Sequence, residues 1–322
     1  MNILIVGAGA VGQVYGLALQ RAGNKVAFLV KPAHAAGARS GFTLYRLGRG
    51  APAAEPFKDF GVYTSADEAR GERWDQVWLA VSGTAIHGHW LEEVVAATGD
   101  ATVVSLQPGT AGRERVGPLA VERLVTGVIA FIAYQAPLPG ETRIPTSGIA
   151  YWYPPGPSPF AGSTGRVAPI VEALRRGGCP AKAVASTDAP STFGSALMVS
   201  FIASLDAVGW DWERLKAGDP LALATRVWRE AVVIGARRIG VTPPFWARFV
   251  GPGAMRLAMW VLPRFIPIDL PTYVGYHFTK VGDQTRAHID GMIRDGGGFG
   301  LPVVALRELR GRMGTEARFP TA

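Results

Sequence analysis

The chain has 322 residues, 48% of them hydrophobic and 18% charged, the balance of a globular protein with room for two cored domains rather than a disordered tail or a fibre. Its net charge of +8 is scattered, with no basic run longer than pairs such as Arg175-Arg176 and Arg237-Arg238, so a nucleic-acid partner is not expected. The single cysteine, Cys179, excludes an internal disulfide and a cysteine metal cluster; no metal is expected, and a reducing compartment, the cytoplasm, is the expected location.

The opening run Ile3-Leu4-Ile5-Val6 reads as a strand, Gly7-Ala8-Gly9-Ala10-Val11-Gly12 as a turn, and Gln13 to Ala22 as a helix closed by Gly23. That order is the context a dinucleotide fingerprint requires. Gly7 makes the tight turn, Gly9 admits the pyrophosphate to the backbone, and Gly12 lets helix and strand pack closely. The helix N-terminus, with Ala10 and Val11, then offers N–H groups and a positive dipole end to the phosphates. No basic leader precedes the strand, so a secretion signal is not expected.

A second strand, Lys25 to Val30, ends at Lys31. A free ribose hydroxyl is gripped by a carboxylate about 20 residues beyond the glycine motif, whereas a 2'-phosphate calls for a cation. No Asp or Glu occurs between Met1 and Gly50, and Arg39, Arg46 and Arg49 add positive charge. The cofactor expected is NADP.

Further strands are expected at Phe42 to Arg46, Gln76 to Val81, Ala101 to Leu106 and Leu124 to Ile132, alternating with helices as in a doubly wound parallel sheet. Ligands bind such sheets beyond the strands' carboxyl ends. The turns Ser82-Gly83-Thr84 and Gln107-Pro108-Gly109-Thr110 therefore join the expected cofactor site through Ser82, Gln107 and Pro108. The Gly- and Pro-rich segment Ala133 to Ser186, with the apolar Ile149 to Tyr153 and a helix near Arg166 to Arg176, reads as the end of this domain and a connection.

From about Asp188 the pattern turns helical: Ser191 to Val208, Pro220 to Ile239, Pro244 to Leu262, Val274 to Arg294 and Pro302 to Gly311. The expected architecture is α/β, a Rossmann-type N-terminal domain over 1–186 followed by an all-helical domain over 187–322. Uncharged stretches at Ile144 to Gly165 and Ala189 to Leu205 are broken by prolines or carry serines, so no membrane span is expected. The helical half is rich in aromatics, Trp210, Trp212, Trp228, Trp246 and Trp260 among them. A run such as Leu257 to Leu262 suits core packing or a homodimer contact equally well.

Met1 to Gly12, Phe28-Leu29-Val30-Lys31-Pro32-Ala33-His34, Val104 to Gly109, Ala287 to Ile293 and Gly300 to Val304 together resemble the ketopantoate reductase family. The resemblance implies an N-terminal NADP-binding domain, a helical C-terminal domain and reduction of a small-molecule carbonyl. It also exposes departures. Where the family places a lysine after the fourth strand this chain has Ser82, and Pro108 replaces the asparagine of the Gln-Asn-Gly turn. The family's catalytic lysine and the asparagine one turn later fall on Ser195 and Val199, and its substrate-binding carboxylate falls on His288.

A carbonyl reduction still needs a proton donor. His277, Lys280, Gln284 and His288 are spaced to share one helical face, which suits either a solvated surface or a substrate-facing one. His288 is the first candidate donor, Lys280 the second, and Ser195 an orienting hydroxyl. The reading is an NADP-dependent oxidoreductase acting on a carbonyl or imine of a rather apolar substrate other than ketopantoate. The alternative is an NADP-binding sensor or structural module without turnover. An opine-type dehydrogenase is a third reading, by fold-level analogy.

Overall fold

The computed structural model describes residues 1–83, 85–107, 111–279 and 282–313. They divide into two compact units, Met1–Thr187 and Asp188–Ala322. The first unit runs β1 (Asn2–Val6), α1 (Ala10–Arg21), β2 (Lys25–Leu29), α2 (Pro32–Arg39), β3 (Phe42–Arg46), β4 (Ala54–Phe57), β5 (Gly61–Tyr63), α3 (Ala66–Arg70) and β6 (Gln76–Leu79). It continues through α4 (Trp90–Ala97), β7 (Thr102–Ser105), α5 (Ala111–Val116), β8 (Leu124–Gly127), β9 (Ile132–Ala136), β10 (Gly148–Trp152), β11 (Ser158–Ala161), α6 (Thr164–Arg176) and β12 (Ala181–Ala183).

The main sheet has eight strands in the order β12-β11-β8-β7-β6-β1-β2-β5. All its pairings are parallel except β8 with β11. Alternation along β1 sends side chains to opposite faces: Ile3 and Ile5 join a core with Val14, Tyr15 and Ala18 of α1, and Leu4 and Val6 join Leu91, Val94 and Val95 of α4. Each fully buried Leu, Ile or Phe here contributes about 1.5–3 kcal/mol. From β1 the chain goes outward to β2 and later returns to β6 on β1's other side. That reversal opens a crevice at the strands' carboxyl ends.

A second sheet, β4-β3-β10-β9, covers α1. It corrects the expectation that Phe42 to Arg46 extends the parallel sheet. β3 pairs instead with β4 and β10, and the three-residue β5 takes the place beside β2. The expected strand Leu124 to Ile132 is likewise two strands in two sheets. β8 ends at Gly127, where a Cβ would stand 2.5 Å from the Phe160 ring, and beyond it the Ala130 N–H donates to Ser158 Oγ at 3.2 Å, drawing the chain away.

The described residues of the second unit hold helices and no strand: α7 (Asp188–Ala207), α8 (Trp212–Lys216), α9 (Gly218–Arg238), α10 (Pro252–Val261), α11 (Leu270–Thr279), α12 (Gly282–Gly298) and α13 (Val304–Arg312). Val199 and Ala203 of α7 meet Leu223 and Val227 of α9 in a core completed by Ile289 and Leu306. Distant polar groups complete helix ends: Glu230 accepts the Ala305 and Leu306 N–H groups at 3.0 and 2.9 Å, placing a carboxylate at the positive end of α13.

One expected helix is broken. Pro244 to Leu262 is a 3-10 turn, Phe245–Phe249, followed by α10, because Pro252 cannot continue a helix from the preceding turn but suits its start. The expected helix Val274 to Arg294 is helical on both sides of residues 280 and 281, which lie outside the described residues: α11 runs to Thr279, whose hydroxyl donates to the Gly275 carbonyl at 2.8 Å, and α12 runs from Gly282. Among the described residues, no helix is long and apolar enough to cross a membrane.

Candidate functional site

A cavity of about 930 Å³ lies in the first unit at the crevice beside β1. Gly7, Ala8 and Gly9 form its floor, Lys31 to His34 one rim, Thr64 to Ala66 a second, and Ala80 to Ser82 with Trp90 and Glu93 a third. Strand pairing brings these loops together. Gly7 N–H donates to Leu29 O at 2.9 Å, Ala80 N–H to Val6 O at 3.0 Å and Val30 N–H to Tyr63 O at 3.0 Å.

The glycines divide their work in the geometry. Gly7 has φ +97° and leaves no room for a side chain, since a Cβ would lie 2.8 Å from Ala80 O. A Cβ on Gly12 would stand 2.3 Å from Gly7 O, so the helix packs on its own turn. Around Gly9 a Cβ meets nothing within 4 Å: its missing side chain leaves the cavity floor open rather than relieving a clash. Gly9 is also the N-cap of α1, which has no side-chain cap and no acidic residue in its first turn. Ala10 and Val11 with Gly12 thus begin a helix whose free N–H groups suit an anion. The side-chain amide of Gln13 donates to Ala8 O at 2.8 Å and braces the turn.

Lys31 stands exposed at the rim as the N-cap of α2. Beside it the cavity is lined from Leu29 through His34 without a carboxylate. On the opposite rim Glu68 accepts from Thr64 N–H at 2.6 Å and Thr64 Oγ1 at 2.8 Å. The Thr64 backbone N–H, then its hydroxyl, hold that carboxyl below its ordinary range. The one carboxylate among the cavity's lining residues is Glu93 of α4.

Ser82 lines the cavity. Gln107 is buried behind it, its Nε2 donating to Val81 O at 3.0 Å, so it braces the turn that carries Ser82. Pro108, with Thr84, Gly109 and Thr110, lies outside the described residues. Thr64, Ser65, Trp90 and Glu93 are lining residues that the sequence did not suggest. Thr64 and Ser65 follow β5, whose three residues are too few for a periodic signal; the signal available was Ser65 with Glu68 three residues on, a capping-box pattern, and Ser65 Oγ does accept from Glu68 N–H at 3.2 Å.

Residues 3–152 match the family model described as Ketopantoate reductase PanE/ApbA. That match covers most of the N-terminal unit and less than half of the chain. Over nearly the whole chain the fold is similar to that of a PanE/ApbA family ketopantoate reductase from Ralstonia eutropha, with a TM-score of 0.72, 21% identity, and 97% and 96% of the two chains covered. A 2-dehydropantoate 2-reductase from Geobacter metallireducens gives 0.73 at 17% identity, covering 97% and 99%. D-mandelate dehydrogenase, in a ternary structure with NADH and anilino(oxo)acetate, gives 0.71 at 14%, covering 97% and 96%. No curated protein matches the chain.

In the second unit, Ser195 is half-buried on α7, and Val199, one turn on, is 7% exposed within the helical core. His288 is exposed on α12, with Gln284 half-buried one turn before it. His277, also exposed, belongs to α11 and stacks on Tyr273 with ring centroids 5.5 Å apart. Lys280 lies outside the described residues. Among the described residues no group of His, Cys, Asp or Glu is arranged to hold a metal ion.

Proposed function

We propose that the protein is an NADP-dependent oxidoreductase that transfers hydride to a carbonyl or imine carbon of a small, rather apolar substrate other than ketopantoate. The observation that carries the reading is the open floor at Gly9 beneath a helix N-terminus, in a cavity whose β2 rim bears Lys31 and no carboxylate. Those residues fit a dinucleotide: N–H groups of Gly9 to Gly12 for the pyrophosphate, and the Lys31 ammonium for a 2'-phosphate. Bound there, NADPH supplies the hydride. Ser82, with Gln107 behind it, borders the same site, and Pro108 is proposed to join them.

The protein's own part in the chemistry is to orient the acceptor and deliver a proton to its oxygen or nitrogen. His288 is the proposed donor, Lys280 the second candidate, and the Ser195 hydroxyl an orienting group. The buried free thiol of Cys179 suits a reducing cytoplasm. A second reading, an NADP-binding module without turnover, is favoured by the apolar burial of Val199, which leaves no polar group where the family's asparagine aligns. A panel of aldehydes, ketones, 2-oxo acids and imines, followed by NADPH absorbance, separates the two. Turnover excludes the passive module, and tight NADPH binding with silence across the panel favours it. Equal affinity for NADH and NADPH would remove the assignment of Lys31.

A further inference from the structure

From Ala231 to Ile268 the sequence holds Arg237, Arg238, Arg248, Arg256 and Arg264 and not one carboxylate. The same stretch carries the largest concentration of exposed aromatic surface. Phe245 and Phe249 are each 67% exposed on the 3-10 turn, Trp260 is 59% exposed on α10, and Phe265 follows at 72%. α10 is apolar on two sides. Met255 and Met259, one turn apart, enter the core with Trp210, Leu221 and Val274, while Leu257, 60% exposed, and Trp260 point outward. The inner side already satisfies the helix's packing, so folding of this unit gives no reason for the outer one.

Two arginines stand on that outer side. Arg264 lies over the Trp260 ring, 3.9 Å from its centroid, with its guanidinium also donating to the Trp260 carbonyl. Arg256 is exposed, and its Nε reaches the Lys216 carbonyl at 3.4 Å. A second copy of the chain is a poor occupant. A two-fold contact sets a patch against itself, and from Ala231 to Ile268 that patch would offer its arginines no carboxylate. Trp and Phe beside Arg form instead the composition of a segment lying in a lipid interface, apolar groups among the acyl chains and guanidinium groups among the phosphates.

We propose that the 3-10 turn, α10 and the residues to Phe265 form a docking surface for an anionic lipid bilayer, on which the protein lies without spanning. This stands independently of the cofactor assignment. The test is co-sedimentation of the full chain with phosphatidylcholine vesicles, with and without an equal part of phosphatidylglycerol, alongside analytical ultracentrifugation without lipid. The expected result is pelleting with the phosphatidylglycerol vesicles only, weakened by salt. The double variant Arg256→Gln/Arg264→Gln should lose about five-fold in partitioning per arginine. The triple variant Leu257→Ser/Trp260→Ser/Phe265→Ser should lose pelleting while keeping NADPH binding and its circular dichroism spectrum. No pelleting by the native chain, or equal pelleting with both vesicles, overturns the proposal. So does a native dimer that ignores vesicles and that the triple variant converts to monomer, which would assign the face to a second copy. If the triple variant misfolds, the surface double variant and the salt dependence decide alone.

Discussion

On the proposed function, the glycine turn of the N-terminal unit and the side chains of α7 and α12 in the helical unit serve recognition in different materials. The turn works through backbone: Gly7, Gly9 and Gly12 contribute the absence of side chains, and α1 contributes free N–H groups. Any chemistry in the helical unit depends on side chains, and on the proposed reading Ser195, Val199 and His288 take the places of a lysine, an asparagine and a carboxylate. A backbone-built site fixes what binds through geometry that few substitutions preserve. A side-chain-built site can be rewritten on an unchanged fold, and structures 14–21% identical to this chain share its fold across ketopantoate reductases and D-mandelate dehydrogenase.

The largest effect that would break this comparison concerns ketopantoate itself. With Ser195 and Val199 at those positions, kcat/KM for ketopantoate should fall short of a ketopantoate reductase's by about a hundred- to ten-thousand-fold, the usual cost of losing a positioned proton donor. A rate approaching that of a ketopantoate reductase would mean that another group does the work. On the substrate identified by the panel, His288→Ala should cost about a hundred-fold in kcat with NADPH affinity unchanged and partial rescue by added imidazole. An unchanged kcat would return His288 to the solvated surface.

Gly9→Val and Gly12→Ala sharpen the backbone side of the contrast. A side chain at Gly9 enters open space, so that variant should keep its melting temperature and lose about ten- to a hundred-fold in NADPH affinity, the equivalent of overfilling a fitted space. At Gly12 even a methyl meets Gly7 O, and thermal denaturation should show a loss of about 1–3 kcal/mol. If the two variants behave alike, the division of work between these glycines is wrong. Lys31→Asp should act more narrowly, lowering NADPH affinity about ten- to a hundred-fold by removing a charge-assisted contact and leaving NADH affinity equal or improved in the same titration.

The same contrast explains what could be read from the residues. Six-residue glycine spacing between a strand and a helix is a local signal, and it placed the turn, the second strand and the rim at Lys31 correctly in the fold. The helix boundaries at α7 and α9 were nearly as legible because each helix is long, 20 and 21 residues. β5 and β4 were not, since strands this short carry no period, and whether Phe42 to Arg46 joins one sheet or another depends on long-range pairing with β10. The catalytic side chains are the least legible part, because they are dispersed along helices and no short local motif marks them.

The smallest effect concerns stability at alkaline pH in the N-terminal unit. Burial pushes the Cys179 thiol up to about 11, and burial, then the neighbouring Cys179, pushes the Tyr15 phenol upward as well. Both groups are 1% exposed in one core. Their native forms keep their protons after the unfolded chain has begun to lose them, so the native state is the more protonated one above the ordinary thiol range. Stability is therefore fully present below about pH 8.5 and falls as pH rises toward 11. The slope is up to about 1.4 kcal/mol per pH unit for each group that ionises only in the unfolded chain. Calorimetry at a series of pH values should show that decline in the transition that NADPH shifts upward. Cys179→Ala should flatten it between the thiol and phenol ranges, at a modest loss of stability from the missing sulfur at neutral pH. An unchanged slope in that variant would mean that Cys179 ionises as readily in the core as in the unfolded chain.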